Sequence, residues 1–215
     1  MSLSKPNGTH HALVQLLEHG YIQNILTQNV DHLHTKAGTP NHHLLELHGT
    51  LYKVECMECG DQTADRNHYQ HRIHARNPNW ANLLGQGKIN PDGDVELPDG
   101  VSYNDFDIPP CLHCNSIKMK PKVVFFGENI KPAVTQRAEQ FVDDCSAILV
   151  IGSSLATYSS FRLARLGHQH NKPVGILTKG ATRADGLMHW KAEVGCTAVL
   201  ESVLENLIGP FFKKV

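Results

Sequence analysis

The 215-residue chain is long enough to bury a hydrophobic core, and its length suggests one domain that carries a small inserted module. It has 20 Lys and Arg against 21 Asp and Glu, so it lacks the basic excess that binding to a nucleic-acid backbone requires. No apolar run reaches about 18 residues, and the first thirty residues contain neither a signal-peptide nor a transit-peptide pattern. We therefore expect a globular protein that binds neither nucleic acid nor membrane.

The chain opens with a helical pattern followed by a strand pattern. Leu13 and Leu16 share one face of a helix that Thr9 can cap and Gly20 can end. The next segment, IQNILTQNV at residues 22–30, is typical of a buried strand that runs into a polar loop.

Residues 60–110 lose hydrophobic periodicity and are rich in Asn, Asp, Pro and Gly, as in NPNW and NPDGDVELPDG. They are flanked by two Cys-x-x-Cys pairs, Cys56 with Cys59 and Cys111 with Cys114. Four thiolates are the ligand set of a closed, tetrahedral zinc site, so we predict one structural Zn²⁺. Surface or redox cysteines are the alternative, and the wide separation of the pairs weakens the zinc interpretation somewhat.

From Lys122 onward, short apolar strands alternate with helices, which predicts parallel β-α-β units. The predicted strands are KVVFFGE, AILVIGSS and VGILT, and the predicted helices are residues 132–144, FRLARLGHQH and LESVLENLIG. The fold class is therefore α/β, a doubly wound, Rossmann-like parallel sheet with an inserted zinc module. We place the Rossmann-like part at residues 1–52 and 121–215 and the zinc module at residues 53–120.

Polar and small residues follow two of the predicted strands, where doubly wound sheets bind their ligands. They are Gln28, Asn29 and Asp31 after the first strand, and Gly152, Ser153 and Ser154 after AILVI. Such residues suit an amide, a ribose or a phosphate. A polar loop and a simple turn explain the same patterns equally well.

His48 ends a strand-like run and precedes Gly49. An imidazole can act as a general base near neutral pH, and four cysteines leave no need for a histidine in the zinc site. Because the chain has 15 histidines, a buried structural histidine remains the alternative.

Taken in order, TQNVDHLHTKAG, ELHG, the two cysteine pairs, KPKVVFFGE and VIGSSL resemble the sirtuins, which are NAD-dependent protein-lysine deacylases. The segments NPNW, PDGDVEL, GSSLATYSSFRLA and TRADGL are most similar to the class II mitochondrial branch, the sirtuin-four type. The resemblance implies NAD and one structural zinc ion as cofactors, acylated-lysine proteins as substrates, and a location in the mitochondrial matrix. It leaves the acyl group, the protein targets and the oligomeric state open.

The resemblance also assigns roles to individual residues. His48 matches the general base, and the segment that binds the peptide as an added strand matches Val124, Phe125, Phe126, Gly127 and Glu128. The NAD contacts match Gln28, Asn29, Val30, Asp31, Gly152, Ser153, Ser154, Thr178, Lys179, Gly180 and Cys196. The zinc ligands match Cys56, Cys59, Cys111 and Cys114. Thr178 departs from the family, which has Asn at this position.

The mechanism implied by the family begins with attack of the acyl oxygen on C1′ of the ribose as nicotinamide leaves. His48 then removes a ribose hydroxyl proton, and the products are free lysine, nicotinamide and O-acyl-ADP-ribose. The branch also implies lipoamidase and ADP-ribosyltransferase activities.

The family's first strand, its Gly-Ala-Gly phosphate turn and its Asp-Phe-Arg loop have no counterpart in this sequence. Because that turn and the helix behind it hold the pyrophosphate, we expect the 215-residue chain to bind NAD poorly. We also expect the strand at IQNILT and one later strand each to face a gap in the sheet. The alternative function is a truncated, weak or inactive sirtuin that acts as a zinc-containing protein-binding remnant. A zinc-ribbon nucleic-acid binder is disfavoured because the insertion is polar and acidic.

Overall fold

The computed structural model describes residues 4–61, 64–80 and 104–209, together with the backbone of two short strands at 88–89 and 95–96. The chain divides into a large unit, residues 1–49 and 124–215, and a small unit, residues 50–123. Each boundary lies three residues from the one expected for the zinc module. None of the described helices is long and apolar enough to cross a membrane.

The elements of the first half, in chain order, are α1 (Gly8–Glu18), β1 (Ile25–Thr27), α2 (Leu33–Ala37), β2 (Leu44–Glu46), β3 (Gly49–Cys56), β4 (Ala64–Asp65), α3 (Arg66–Arg76), β5 (Lys88–Ile89) and β6 (Val95–Glu96). Those of the second half are β7 (Met119–Val123), α4 (Pro132–Asp144), β8 (Ile148–Ile151), α5 (Tyr158–Gln169), β9 (Val174–Leu177), β10 (Trp190–Ala192) and α6 (Cys196–Ile208).

The large unit contains parallel strands in two sheets. Strands β1 and β2 pair with Leu26 opposite Leu45, and the second sheet has the order β10-β9-β8 with Val150 opposite Ile176. The β8-α5-β9 crossover confirms the predicted parallel β-α-β unit. Among the described residues, β1 and β8 are each paired along one edge only. The expected single sheet is therefore divided into the β1-β2 pair and the β10-β9-β8 sheet.

Helices cover both faces of these sheets. One cluster packs α1 and α6 against Ile25, Leu44 and Leu177, and another packs α4 and α5 against Leu45 and Leu47. Burial of an apolar side chain of this size contributes about 1.5–3 kcal/mol. The two clusters therefore fix the positions of the strands and of the loops that follow them.

The first helix is capped differently from the prediction. Asn7 is the N-cap, because its side-chain oxygen accepts a hydrogen bond from the His10 N–H at 3.2 Å. Thr9 lies inside the helix, and its hydroxyl bonds Thr197 at 2.8 Å instead. The prediction overlooked that Asn is as good an N-cap as Thr and lies two residues earlier in the chain.

The predicted strand KVVFFGE is largely wrong. Strand β7 ends at Val123 and pairs with β3 in the small unit, so it is not part of the parallel sheet. Beyond it, Phe125 and Phe126 are exposed and Gly127 adopts a φ of +88°, which marks a turn. The run was assigned to the parallel sheet because a short apolar run does not reveal which sheet it joins.

All three helices predicted in the second half are present in the structure. Helix α4 has the predicted bounds, with Pro132 in its first turn, where a proline is well tolerated. Helix α5 begins three residues earlier than predicted, at Tyr158, and α6 begins four residues earlier, at Cys196.

The small unit contains a three-stranded sheet of order β4-β3-β7 and helix α3. Asp65 caps α3 by accepting hydrogen bonds from the N–H groups of Asn67 and His68. The buried Tyr69 donates its hydroxyl to the Pro109 carbonyl at 2.8 Å, which fixes the segment before the second cysteine pair. The predicted polar insertion NPDGDVELPDG lies outside the described residues, apart from the backbone of 95–96.

Candidate active site and metal centre

Polar side chains meet where β1, β2 and β8 end. Gln28 follows β1 directly, and His48 and Ser153 each come two residues after β2 and β8. The Gln28 amide nitrogen donates to the Ser153 hydroxyl at 2.8 Å, and the Thr157 hydroxyl donates to the Gln28 amide oxygen at 2.9 Å. Both ends of the Gln28 side chain are therefore occupied, and they connect the loop after β1 to the loop after β8.

His48 is oriented at both ring nitrogens. Its Nδ1 lies 3.1 Å from the backbone carbonyl of Gln28, which can only accept, so Nδ1 carries the proton of the neutral ring. Its Nε2 is then the acceptor for the Ser159 hydroxyl 2.8 Å away, a contact shorter than the 3.3 Å that separates the same hydroxyl from that of Thr157. This arrangement directs the basic nitrogen of His48 toward a hydroxyl group.

The segment predicted to bind peptide begins beside His48. The N–H of Val124 donates to the His48 carbonyl at 2.9 Å. The next residues form a turn in which the Glu128 N–H donates to the Phe125 carbonyl at 3.0 Å and the Glu128 carboxylate accepts from the Phe125 N–H at 3.1 Å. Phe126 projects from this turn fully exposed.

The loop after β1 contains the other predicted nicotinamide-ribose residues. The Asn29 N–H bonds the Thr27 hydroxyl at 3.1 Å, and the Asp31 carboxylate accepts from the Leu33 N–H at 3.0 Å. His32 follows in the left-handed region with a φ of 62°. Asp31 thus orders the start of α2, and Val30 lies between the two polar residues in the irregular segment that joins β1 to α2.

The predicted adenosine residues meet at the ends of β8 and β9. Gly152 has a φ of +61°, a conformation that favours glycine, and its N–H bonds the Leu177 carbonyl at 2.9 Å. A Cβ atom on Gly152 would lie 3.8 Å from the Cys196 sulfur, so these two residues are neighbours. Thr178 is buried after β9, whereas Lys179 and Gly180 are exposed.

The four paired cysteines form one compact cluster. The Cys56 and Cys114 sulfurs are 3.6 Å apart, those of Cys59 and Cys111 are 3.8 Å apart, and all four lie within 4.8 Å of one another. A zinc ion with Zn–S bonds of about 2.3 Å places its sulfurs roughly 3.8 Å apart in a tetrahedron. The donor set and its spacing therefore fit one structural zinc ion.

The ionisation of these thiols also favours a cation among them. The N–H of Cys59, together with that of Glu58, lowers the pKa of Cys56 to about 7 against the effect of burial. A hydrogen bond from the Asp61 N–H lowers the pKa of Cys59, but burial and the three other thiols together raise it to about 12. Four adjacent thiols cannot all ionise without a positive charge, which a zinc ion supplies.

Thr157, Ser159 and Arg183 lie beside the predicted site residues but are not among them. Thr157 and Ser159 contact Gln28 and His48, and the Arg183 N–H bonds the Ser154 carbonyl at 2.9 Å. The signal available for the first two was their position, because they open a helix just after the carboxyl end of a parallel strand. No local pattern indicated that Arg183 contacts the loop that contains Ser154.

Comparison with known proteins agrees with this site. The Sir2 family matches residues 1–159. The NAD-dependent protein deacylase SIR4 of Batrachochytrium dendrobatidis is 39% identical over 96% of this chain and 70% of its own length. The NAD-dependent protein deacetylase of Xanthomonas axonopodis pv. citri is 41% identical over 92% of this chain and 65% of its own length. The chain thus spans about two thirds of these relatives.

Solved structures show the same fold. A Sir2 protein bound to acetylated peptide superposes with a TM-score of 0.74 at 25% identity, covering 96% of this chain and 73% of that one. A Sir2 complex with a p53 peptide and NAD⁺ gives 0.72 at 26% identity, covering 94% and 70%. With its Rossmann-like α/β fold, its His48 site and its four-cysteine cluster, the chain belongs to the Sir2 family, the sirtuins, whose matched members are NAD-dependent protein deacylases.

Proposed function

We propose that the chain is an NAD-dependent protein-lysine deacylase in which His48 is the general base. The observation that carries this proposal is the orientation of the imidazole. Its Nδ1 is bonded to the Gln28 carbonyl, and its Nε2 lies 2.8 Å from the Ser159 hydroxyl. This is the geometry in which a neutral imidazole accepts a hydroxyl proton. The activities named for the two relatives supply the reaction.

The neighbouring residues have separate roles in this proposal. When bound, NAD would supply the ribose carbon that the acyl oxygen attacks. Ser153 and Gln28 lie where they can hydrogen-bond a ribose, and their mutual 2.8 Å contact keeps them in place. The Val124 carbonyl receives the acyl-lysine N–H, and Val124 is held next to His48 by the hydrogen bond from its own N–H to the His48 carbonyl.

The finer assignments are part of the same proposal. The 39% identity to a protein named SIR4 supports the sirtuin-four type of the class II branch. The mitochondrial matrix location and the lipoamidase and ADP-ribosyltransferase activities are proposed from the resemblance of the sequence motifs to that branch. A Sir2Af2 structure bound to a myristoylated histone peptide, with a TM-score of 0.65 at 27% identity, supports testing long acyl groups. A panel of acetyl-, lipoyl- and myristoyl-lysine peptides separates these activities by their relative kcat/KM.

We further propose that the chain of residues 1–215 binds NAD weakly. Supporting this, β1 and β8 are each paired along only one edge within the described residues, so the ends of the strands that would receive NAD are less constrained than in a continuous sheet. Isothermal titration of the zinc-loaded chain with NAD tests it, and a Kd in the millimolar range is expected. A micromolar Kd would contradict weak binding, whereas no NAD binding at all would favour a protein-binding remnant.

The reaction itself is tested by incubating the zinc-loaded chain with an acetyl-lysine peptide at high NAD concentration. Mass spectrometry should detect deacetylated peptide, nicotinamide and O-acetyl-ADP-ribose in equal amounts, and none of them when NAD is omitted. Peptide deacetylation that proceeds equally well without NAD would refute the proposal.

A further inference from the structure

Two exposed arginines lie beside the candidate active site without an acidic partner. Neither Arg165 nor Arg183 forms an ion pair with a carboxylate in the described part of the chain, although eight other pairs of basic and acidic side chains do. Isolated exposed arginines usually move freely. These two are instead held against the same aromatic side chain, Tyr158.

Arg165 is fixed from within α5. Its Nη2 donates to the Tyr158 hydroxyl at 2.8 Å, two turns earlier on the same helix, and its guanidinium carbon lies 5.6 Å from the centre of the Tyr158 ring. A guanidinium has five N–H donors, and this hydrogen bond uses one of them.

Arg183 reaches Tyr158 from the loop after β9. Its guanidinium carbon lies 5.5 Å from the centre of the Tyr158 ring and 4.7 Å from that of Phe161, within the range of cation–π attraction. Its Nη1 donates to the Ala156 carbonyl at 3.2 Å, and its backbone N–H donates to the Ser154 carbonyl. The two guanidinium groups are therefore positioned around one ring, and each retains donors for a further ligand.

This pair adjoins the proposed chemistry. Tyr158 is next in sequence to Ser159, whose hydroxyl contacts His48. Arg183 is bonded to the stretch after Ser153. The family resemblance implies that the acyl-lysine peptide lies between this stretch and the segment of residues 124–128. An extended peptide rises roughly 3.3 Å per residue, so four residues on either side of the acyl-lysine cover about 13 Å in each direction.

We propose that Arg165 and Arg183 form a specificity subsite for an acidic side chain, Asp or Glu, near the acyl-lysine of the protein substrate. This inference rests on the proposed deacylase function. A carboxylate matches the planar fork of a guanidinium and can accept two hydrogen bonds from it. Because Tyr158 and Phe161 hold the guanidinium groups in place, little side-chain entropy is lost on binding.

The other role open to Arg183 is structural, since its bonds to Ser154 and Ala156 order the loop. The two roles differ in what they predict for charge. A purely structural arginine affects all peptides equally, whereas a binding arginine affects acidic peptides selectively, and reversing its charge reverses the preference.

The test uses acetyl-lysine peptides in which Glu, Gln or Lys is placed in turn at each of the four positions on either side. At the best position, kcat/KM for the Glu peptide should exceed that for the Gln peptide about tenfold, and the ratio should fall as salt is added. The double variant R165Q/R183Q should bring the ratio to about one. The double variant R165E/R183E should prefer Lys. The control is Arg137→Gln, an exposed arginine on α4 that should keep the wild-type preference.

A binding measurement separates failure of this subsite from failure of the deacylase proposal. Fluorescence polarisation of the same labelled peptides needs no turnover, and the wild-type chain should bind the Glu peptide more tightly than the Gln peptide. If no peptide is deacetylated, the deacylase proposal fails and the binding ratio alone decides the subsite. The subsite proposal is overturned if the wild-type chain binds Glu and Gln peptides equally at every position. It is also overturned if R165Q/R183Q keeps the preference for Glu peptides. Should the variants fail to fold, the wild-type scan decides.

Discussion

The four-cysteine cluster and the His48 site are assembled in opposite ways. The cluster takes two ligands from each of two Cys-x-x-Cys turns, and its sulfurs are already at spacings that suit a zinc ion. The His48 site draws its groups from the ends of β1 and β2 and from the start of α5, and the His48–Ser159 hydrogen bond joins residues 111 apart in sequence. Each half of the metal site can therefore be specified by local spacing, although the fold must bring together two halves whose contacting cysteines are 52 and 58 residues apart. The catalytic hydrogen-bond network takes every group from a different part of its unit.

This contrast implies different sources of stability. The small unit should depend on its metal, because the binding free energy of a structural zinc is also folding free energy. The large unit should depend on the helices that cover its sheets, and its polar site should tolerate single changes at a cost of a few kcal/mol. Four predictions test this difference, in order of decreasing effect.

Loss of one zinc ligand should have the largest effect. We expect Cys111→Ser to lose the metal and unfold the small unit, because structural zinc in zinc-finger peptides contributes about 10–16 kcal/mol. Wild-type protein should contain one zinc per chain by elemental analysis, and the variant none, with loss of amide protection in residues 50–123. Cys145→Ser, outside the cluster, serves as the control. Full zinc content in Cys111→Ser would show that the cluster is not the site.

Removal of the Gln28 side chain should affect the large unit at an intermediate level. Gln28→Ala breaks the hydrogen bonds to Ser153 and Thr157, which at about 1 kcal/mol each should lower the free energy of unfolding by roughly 2 kcal/mol in urea titrations. The backbone carbonyl that orients His48 remains. Gln15→Ala, on the exposed face of α1, should cost much less. An equal cost in both variants would mean that the Gln28 contacts contribute little.

Removal of the Ser159 hydroxyl should have a smaller, kinetic effect. Ser159→Ala removes the group that positions Nε2 of His48, a contact of about 1 kcal/mol, so kcat should fall about fivefold while KM for NAD changes little. Ser159→Thr keeps a hydroxyl and should restore most of the rate. An unchanged kcat in Ser159→Ala would show that the Gln28 carbonyl alone orients the ring.

The smallest effect at neutral pH should come from the titration of His34, whose contribution to stability changes only as the pH is lowered. Burial and the adjacent His10 lower the pKa of His34 to about 4, with Asp31 opposing the shift. An unfolded histidine takes up its proton near pH 6.5, so between pH 6.5 and about pH 4 the unfolded state binds more protons than the folded state. The free energy of unfolding therefore decreases as the pH is lowered through this range. His34→Gln should therefore lose less stability than wild type between pH 7 and pH 5. His42→Gln, exposed on the surface, should behave like wild type. An unaltered pH dependence in His34→Gln would show that protonation of His34 does not cause the loss of stability in acid.

The same contrast explains which features could be predicted from the sequence. The cysteine cluster was predicted because its ligands are set by two short spacings. Helix α4 was predicted to the residue because Pro132 and a 3.6-residue apolar pattern are local signals. The β8-α5-β9 unit followed from apolar strands flanking an amphipathic helix.

The remaining features depend on contacts between distant parts of the chain. KVVFFGE was assigned to the wrong sheet because the pairing of β7 with β3 is not encoded in the run itself. Ser159 was missed because a serine in the first turn of a helix is ordinary until the fold brings His48 within 2.8 Å. The roles assigned to the NAD and peptide residues remain predictions, although Gln28, His48, Ser153 and Val124 lie together as those roles require.

The central claim is that His48 performs the chemistry and the four cysteines only hold zinc. It is tested most directly by measuring O-acetyl-ADP-ribose formation and zinc content on the same preparations of wild type, His48→Ala and the control His42→Ala. We predict one zinc per chain in all three, with O-acetyl-ADP-ribose formation from acetyl-lysine peptide and NAD reduced at least a hundredfold in His48→Ala and unchanged in His42→Ala. A His48→Ala protein that retains zinc and forms O-acetyl-ADP-ribose at the wild-type rate would contradict it.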